Sequence, residues 1–136
     1  MIWQRSPGMR KQIADFGCYF MSIVYAVSKR RTQIVLTIPY ISDTLYTEVV
    51  ARGYMTEDCY VLRPEMIMEH LSLPVEYLGK FPPEYQCKHG EFAIDHYWYA
   101  PNDWHHFVTE GYDPWGISTT ATKGIMTSRR IFRPVS

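Results

Sequence analysis

Through its first half this chain groups apolar side chains at helical spacing, and through its second half it sets them in short runs broken by turn residues. A polar lead-in from Gln12 to Gly17 opens into Cys18, Tyr19, Phe20, Met21, Ile23, Val24, Ala26 and Val27, and closes on Lys29-Arg30-Arg31. That pattern predicts one buried helix over 12–31. Asp15 is its expected N-cap, and the basic residues stand where the helix dipole favours cations. The β-branched stretch 33–38, stopped by Pro39, predicts a brief strand or extended link, with helix as the alternative. Ser42-Asp43-Thr44 then reads as the cap of a second helix that turns Leu45, Tyr46, Val49 and Val50 inward as far as Gly53. After an ambiguous stretch at 56–62, Pro64 at a first helical position opens a third, carrying Met66, Ile67 and Leu71 up to Pro74.

From Val75 the period changes. The runs 75–78, 92–99, 106–109, 117–121 and 125–132 are aromatic and β-branched, with turn residues between them, and predict antiparallel strands. Helices first and sheet second give an α+β class, read as one domain over 1–136 with the Cys18 helix at its centre.

Composition narrows the function classes. Fourteen basic and fourteen acidic residues cancel, and no run of one sign appears, so no nucleic-acid partner is expected. Three cysteines at irregular spacing form no disulfide framework and suggest a reducing, cytoplasmic setting. No signal-peptide pattern is visible at the start, and the most apolar run is too short to span a bilayer, so no membrane association is expected. Aromatic residues make up 15%, enough that some are expected to line a groove.

The candidate chemistry begins at Cys18. A thiol in the first turn of a helix meets the positive end of the dipole, which lowers its pKa; the plain alternative is an inert core cysteine. His105 and His106 would point to opposite faces of a strand, so only one of them can meet the thiol. His96 is expected to pack or stack, and His70 and His89 to lie at the surface. Cys87-x-His89 with His105-His106 offers four possible metal ligands, but the spacing fits no standard zinc pattern. Neither metal nor cofactor is expected, no glycine-rich phosphate loop is present, and Cys59 and Cys87 read as structural thiols.

These residues resemble, in order and in one spacing, the papain-like thiol hydrolases. That family carries a cysteine at the start of a central helix, a histidine and then Asp or Asn on later strands, and an upstream glutamine for the oxyanion. Gln12 precedes Cys18 by six residues, and His106-Phe107-Val108 leads to Asp113-Pro114-Trp115-Gly116. The layout is most similar to bacteriocin leader-processing peptidases and to papain-like proteins of bacterial plasmids and phages. The tail from Ser118 and Thr120 through Gly124, Ser128, Arg130 and Phe132 is similar to the phage group. Gly17-Cys18-Tyr19-Phe20 departs from the papain signature, which has a second glycine and a tryptophan around the nucleophile.

The resemblance implies a papain-like fold and a peptidase or amidase with Cys18 as nucleophile, His106 as base, Asp113 as its orienting partner and Gln12 as oxyanion donor. It implies a peptide or protein substrate, with a cell-wall peptide as one alternative. A non-catalytic phage or plasmid interaction protein on the same fold is the competing class. A two-residue turn at Thr109-Glu110 would pair His106 with Asp113, whereas a three-residue loop ending in Gly111 would set Asp113 opposite Phe107.

Overall fold

The structure is a computed structural model, and it describes residues 1–99, 103–116 and 124–135. Helices α1 (Lys11–Phe16), α2 (Cys18–Arg30), α3 (Tyr46–Ala51) and α4 (Pro64–His70) precede strands β1 (Val75–Phe81), β2 (Phe92–Tyr99), β3 (Trp104–Val108) and β4 (Ile125–Pro134). The strands form one antiparallel sheet in the order β1-β4-β2-β3, so the class is α+β. The strand expected at 117–121 lies outside the described residues. Among the described residues no helix is long and apolar enough to cross a membrane.

Helix α2 fills the core because nearly every face of it is apolar. Phe20, Ile23, Ala26 and Val27 are fully buried, and they share one cluster with Ile41, Leu45, Ile67 and Phe132. Each large side chain so buried contributes about 1.5–3 kcal/mol. The helix packs on β3 and α4, and it touches α1 and β2.

The single helix expected over 12–31 is in fact two, broken at Gly17. A Cβ at Gly17 would lie 2.6 Å from the Ile13 carbonyl oxygen and 2.9 Å from the Ile13 Cα, so only glycine fits. Its backbone (φ −89°, ψ 22°) leaves the helical basin, and α2 starts afresh at Cys18. Asp15 therefore sits inside α1, where it pairs with Lys11 one turn away at 2.6 Å and caps nothing.

The second helix also begins earlier than expected. Thr37 accepts the Tyr40 N–H on its hydroxyl at 3.2 Å and the Ile41 N–H on its carbonyl at 3.0 Å. Residues 34–37 form the extended link, and Ser42-Asp43-Thr44 lie within a π-helical turn, Tyr40–Leu45, that runs into α3. Pro39 does not stop the chain there, because a proline in a first turn lacks only an N–H that would have no helical partner. Ser42 binds the N-terminal segment instead of capping. Its hydroxyl accepts the Arg10 N–H at 2.7 Å, and its carbonyl accepts the Arg10 guanidinium at 2.8 Å. Gly53 ends α3 as expected, at φ 77°.

Gly17→Ala tests the break directly. The added methyl has to displace backbone, so urea unfolding should show a loss of about 1–3 kcal/mol. An unchanged midpoint would show that the close approach to Ile13 relaxes without cost.

Candidate active site

Strand β3 is an edge strand, and the start of α2 lies along its open side. The Cys18 thiol donates to the His105 carbonyl at 3.9 Å, and one helical turn on, the Ser22 hydroxyl donates to the Phe107 carbonyl at 3.1 Å. The Phe107 N–H points back at the sulfur. Cys18 is thus pressed against the strand on both sides of His106.

The neighbouring histidines part as strand alternation requires. His105 pairs with Trp98 and turns toward His96, its Nδ1 2.9 Å from His96 Nε2. His106 goes to the other face, where it is 1% exposed. Its Nε2 lies 2.6 Å from Asp113 Oδ1, and its ring stacks on Trp115 with centroids 3.6 Å apart. A carboxylate only accepts, so Nε2 carries the hydrogen and Nδ1 is the basic nitrogen. That Nδ1 is buried and has no hydrogen-bond partner among the described residues, Cys18 included.

Neither expected hairpin register occurs. Thr109 pairs with Tyr112 through reciprocal backbone bonds of 3.0 and 2.7 Å, around the two-residue turn Glu110-Gly111. Both turn residues have positive φ, 50° and 82°, the geometry of a type I′ turn. Asp113 reaches His106 by leaving the ladder at Pro114, not by facing it across the strands. Its carboxylate is fixed by the Trp115 N–H at 2.9 Å, and the Pro114 carbonyl is tied to the Gln4 N–H at 2.9 Å.

Gln12 stands in α1, half-buried. Its carbonyl accepts from the Cys59 thiol at 3.7 Å, and its side-chain amide makes no hydrogen bond to a described residue. The structure therefore sets Cys18 against the strand backbone on either side of His106 and pairs His106 with Asp113, but the cleft that Cys18 lines holds His96 and His105, not the His106 ring, and Gln12 reaches only Cys59, through its backbone carbonyl.

The electrostatics differ from the sequence expectation. Burial pushes the Cys18 thiol up to about 11, against the N–H groups of Phe107, Tyr19 and Cys18 itself, and the Asp113 charge adds to the rise. The first-turn donors are present, but desolvation outweighs them. Burial likewise pushes Cys59 to about 12. His96 is pushed down to about 4 by burial and then by the Arg130 charge.

Several contributors escape sequence reading. Gln4 is buried, and its amide donates to the Ala14 carbonyl at 3.0 Å, the acceptor a continuous helix would give to the Cys18 N–H. With that acceptor taken and the helix broken, the Cys18 N–H stays outside the helical ladder. Trp115 follows Asp113 by two residues, and that spacing was the only available hint of its place over His106. Cys59 lines a cleft of about 450 Å³ together with Cys18, whereas Cys87 is exposed rather than structural. His89 is exposed, but His70 pairs with Glu48 at 2.8 Å and is only partly exposed. Among the described residues no cluster of His, Cys, Asp and Glu is arranged to hold a metal ion.

Residues 1–134 match the family described as "Protein of unknown function, DUF261", and the chain belongs to that family. No curated protein and no solved structure matches it.

The raised thiols make stability depend on pH. The folded chain holds the Cys18 and Cys59 protons more tightly than the unfolded chain does. That contribution is fully present below about pH 8.5 and is lost as pH climbs toward about 11 and 12. The urea midpoint should therefore fall between about pH 8 and about pH 10, and it should fall less in a Cys18→Ala, Cys59→Ala double variant. Equal slopes in the two proteins would remove the thiols from the account.

Proposed function

We propose that this member of the DUF261 family is a cysteine-dependent hydrolase of peptide or isopeptide bonds, built on a papain-like arrangement. The observation that carries the reading is the state of His106. One ring nitrogen is held by a buried carboxylate, while the other is buried and without a hydrogen-bond partner among the described residues, in a strand segment that touches a helix-terminal thiol on both sides.

In this mechanism Nδ1 of His106 takes the Cys18 proton as the sulfur attacks the substrate carbonyl carbon. A C–S bond forms, and the carbonyl oxygen becomes an oxyanion. The Cys18 N–H, free of Ala14, and the Gln12 amide donate to that oxygen. The C–N bond then breaks, and the imidazolium gives its proton to the leaving amine, leaving a thioester on Cys18. Water, deprotonated by His106, releases the acid and restores the thiol. Asp113 holds the tautomer throughout, as an orienting carboxylate does in the serine and cysteine hydrolases.

Because burial holds the resting thiol protonated, the ion pair forms as substrate arrives instead of standing ready beforehand. Cleavage of a mixed peptide library, read by mass spectrometry, should disappear in Cys18→Ala and drop by about 10²–10⁴-fold in His106→Ala. A Cys18-linked acyl adduct should accumulate on brief acid quench. Undiminished cleavage by Cys18→Ala would refute the assignment, and partner binding by a wild-type chain that cleaves nothing would favour a binding module.

A further inference from the structure

Among the described residues, the cleft beside Cys18 is lined by one cation that has no carboxylate within ion-pair distance. Arg10, Arg30, Arg63, Arg129 and Arg133 each lie within ion-pair distance of a carboxylate. Among the described residues the arginines without such a partner are Arg5, Arg31 and Arg52, all exposed, and Arg130, which is half-buried and lines the cleft. The Arg130 guanidinium donates to the Ser128 hydroxyl at 2.5 Å and interacts with the Tyr19 and Tyr77 hydroxyls, all neutral groups. It also lies over the Phe107 ring, 5.1 Å from the centroid, and Phe107 stacks on Tyr19 at 4.1 Å.

A guanidinium offers five donors in a planar fork that fits a carboxylate, and a half-buried one is screened less than a surface charge. The other permanent charge on the cleft, Asp58, is exposed at its margin. The uncharged form of His96 persists to well below neutral pH, so that ring adds no cation of its own.

From this we infer that Arg130 is the specificity-determining residue of the cleft and selects peptides carrying a free carboxylate, an acidic side chain or a chain terminus, beside the scissile bond. The aromatic pair Tyr19 and Phe107 forms the floor on which the neighbouring substrate residue packs. The inference rests on the thiol-hydrolase reading of Cys18, and it predicts which peptides that site accepts.

Two small electrophiles test it without a known substrate. Iodoacetate carries a carboxylate and iodoacetamide is its neutral analogue, and both alkylate the same thiolate. The ratio of their rates at Cys18, mapped by mass spectrometry at one pH and low salt, cancels differences in thiolate content between variants. Arg130→Gln should lower the iodoacetate-to-iodoacetamide ratio by about fivefold, the factor for a water-screened charge pair, while Arg130→Lys should keep most of it. The same ratio in wild type and Arg130→Gln would overturn the role of Arg130 and leave the thiol-hydrolase reading standing. Failure of Cys18 to react with either reagent even near pH 10, where a thiol raised to about 11 is partly ionised, until urea unfolds the chain would overturn both.

Discussion

The architecture of the site depends on a helix laid along the unpaired edge of a strand. Exposed strand edges invite pairing with other chains, and here α2 occupies part of the open side of β3 with side-chain donors instead of a further strand. The match is geometric. Four residues of helix rise about 6 Å and two residues of strand about 6.8 Å, so side chains one turn apart on α2 meet successive outward carbonyls of β3. Ser22 and Cys18 use that correspondence, and it brings the thiol to the level of His106.

The far end of α2 is tied to the same hairpin. Lys29 and Arg30 both reach Glu110, at 2.9 and 2.5 Å, in the turn that follows β3. The helix is thus attached to one β segment at its first turn by the thiol and hydroxyl, and at its last turn by charge. Gln4 and the Pro114 carbonyl add a third tie, joining the N-terminal segment to the loop that carries Asp113. Cys18, His106 and Asp113 are positioned by one mutually braced unit, and the aromatic cleft opens beside Cys18.

Much of this was legible in the sequence, and the parts that were not share a cause. The α+β class and all four described strands follow from periodicity and residue type, whereas the choice of Cys18, His106 and Asp113 rests on the resemblance to papain-like hydrolases. The break at Gly17 does not, because it depends on where the Ile13 carbonyl lies and on Gln4 claiming the Ala14 carbonyl. The hairpin register was missed because a glutamate at positive φ is an uncommon turn residue, and here its carboxylate is held by two cations more than seventy residues upstream. The thiol expectation erred on a balance of magnitudes. The helix terminus does supply donors, but the strand that covers the sulfur removes more solvation than they return.

The cover over Cys18 comes from His105, 87 residues further along the chain. During synthesis on the ribosome, α2 emerges long before β3 exists to shield it. Until then the sulfur is an ordinary solvated thiol, open to oxidants and to stray disulfide exchange. Completion of the C-terminal strands is therefore also the moment at which the Cys18 thiol is withdrawn from the surrounding redox chemistry. A chain that stalls before β3 would carry that thiol unprotected.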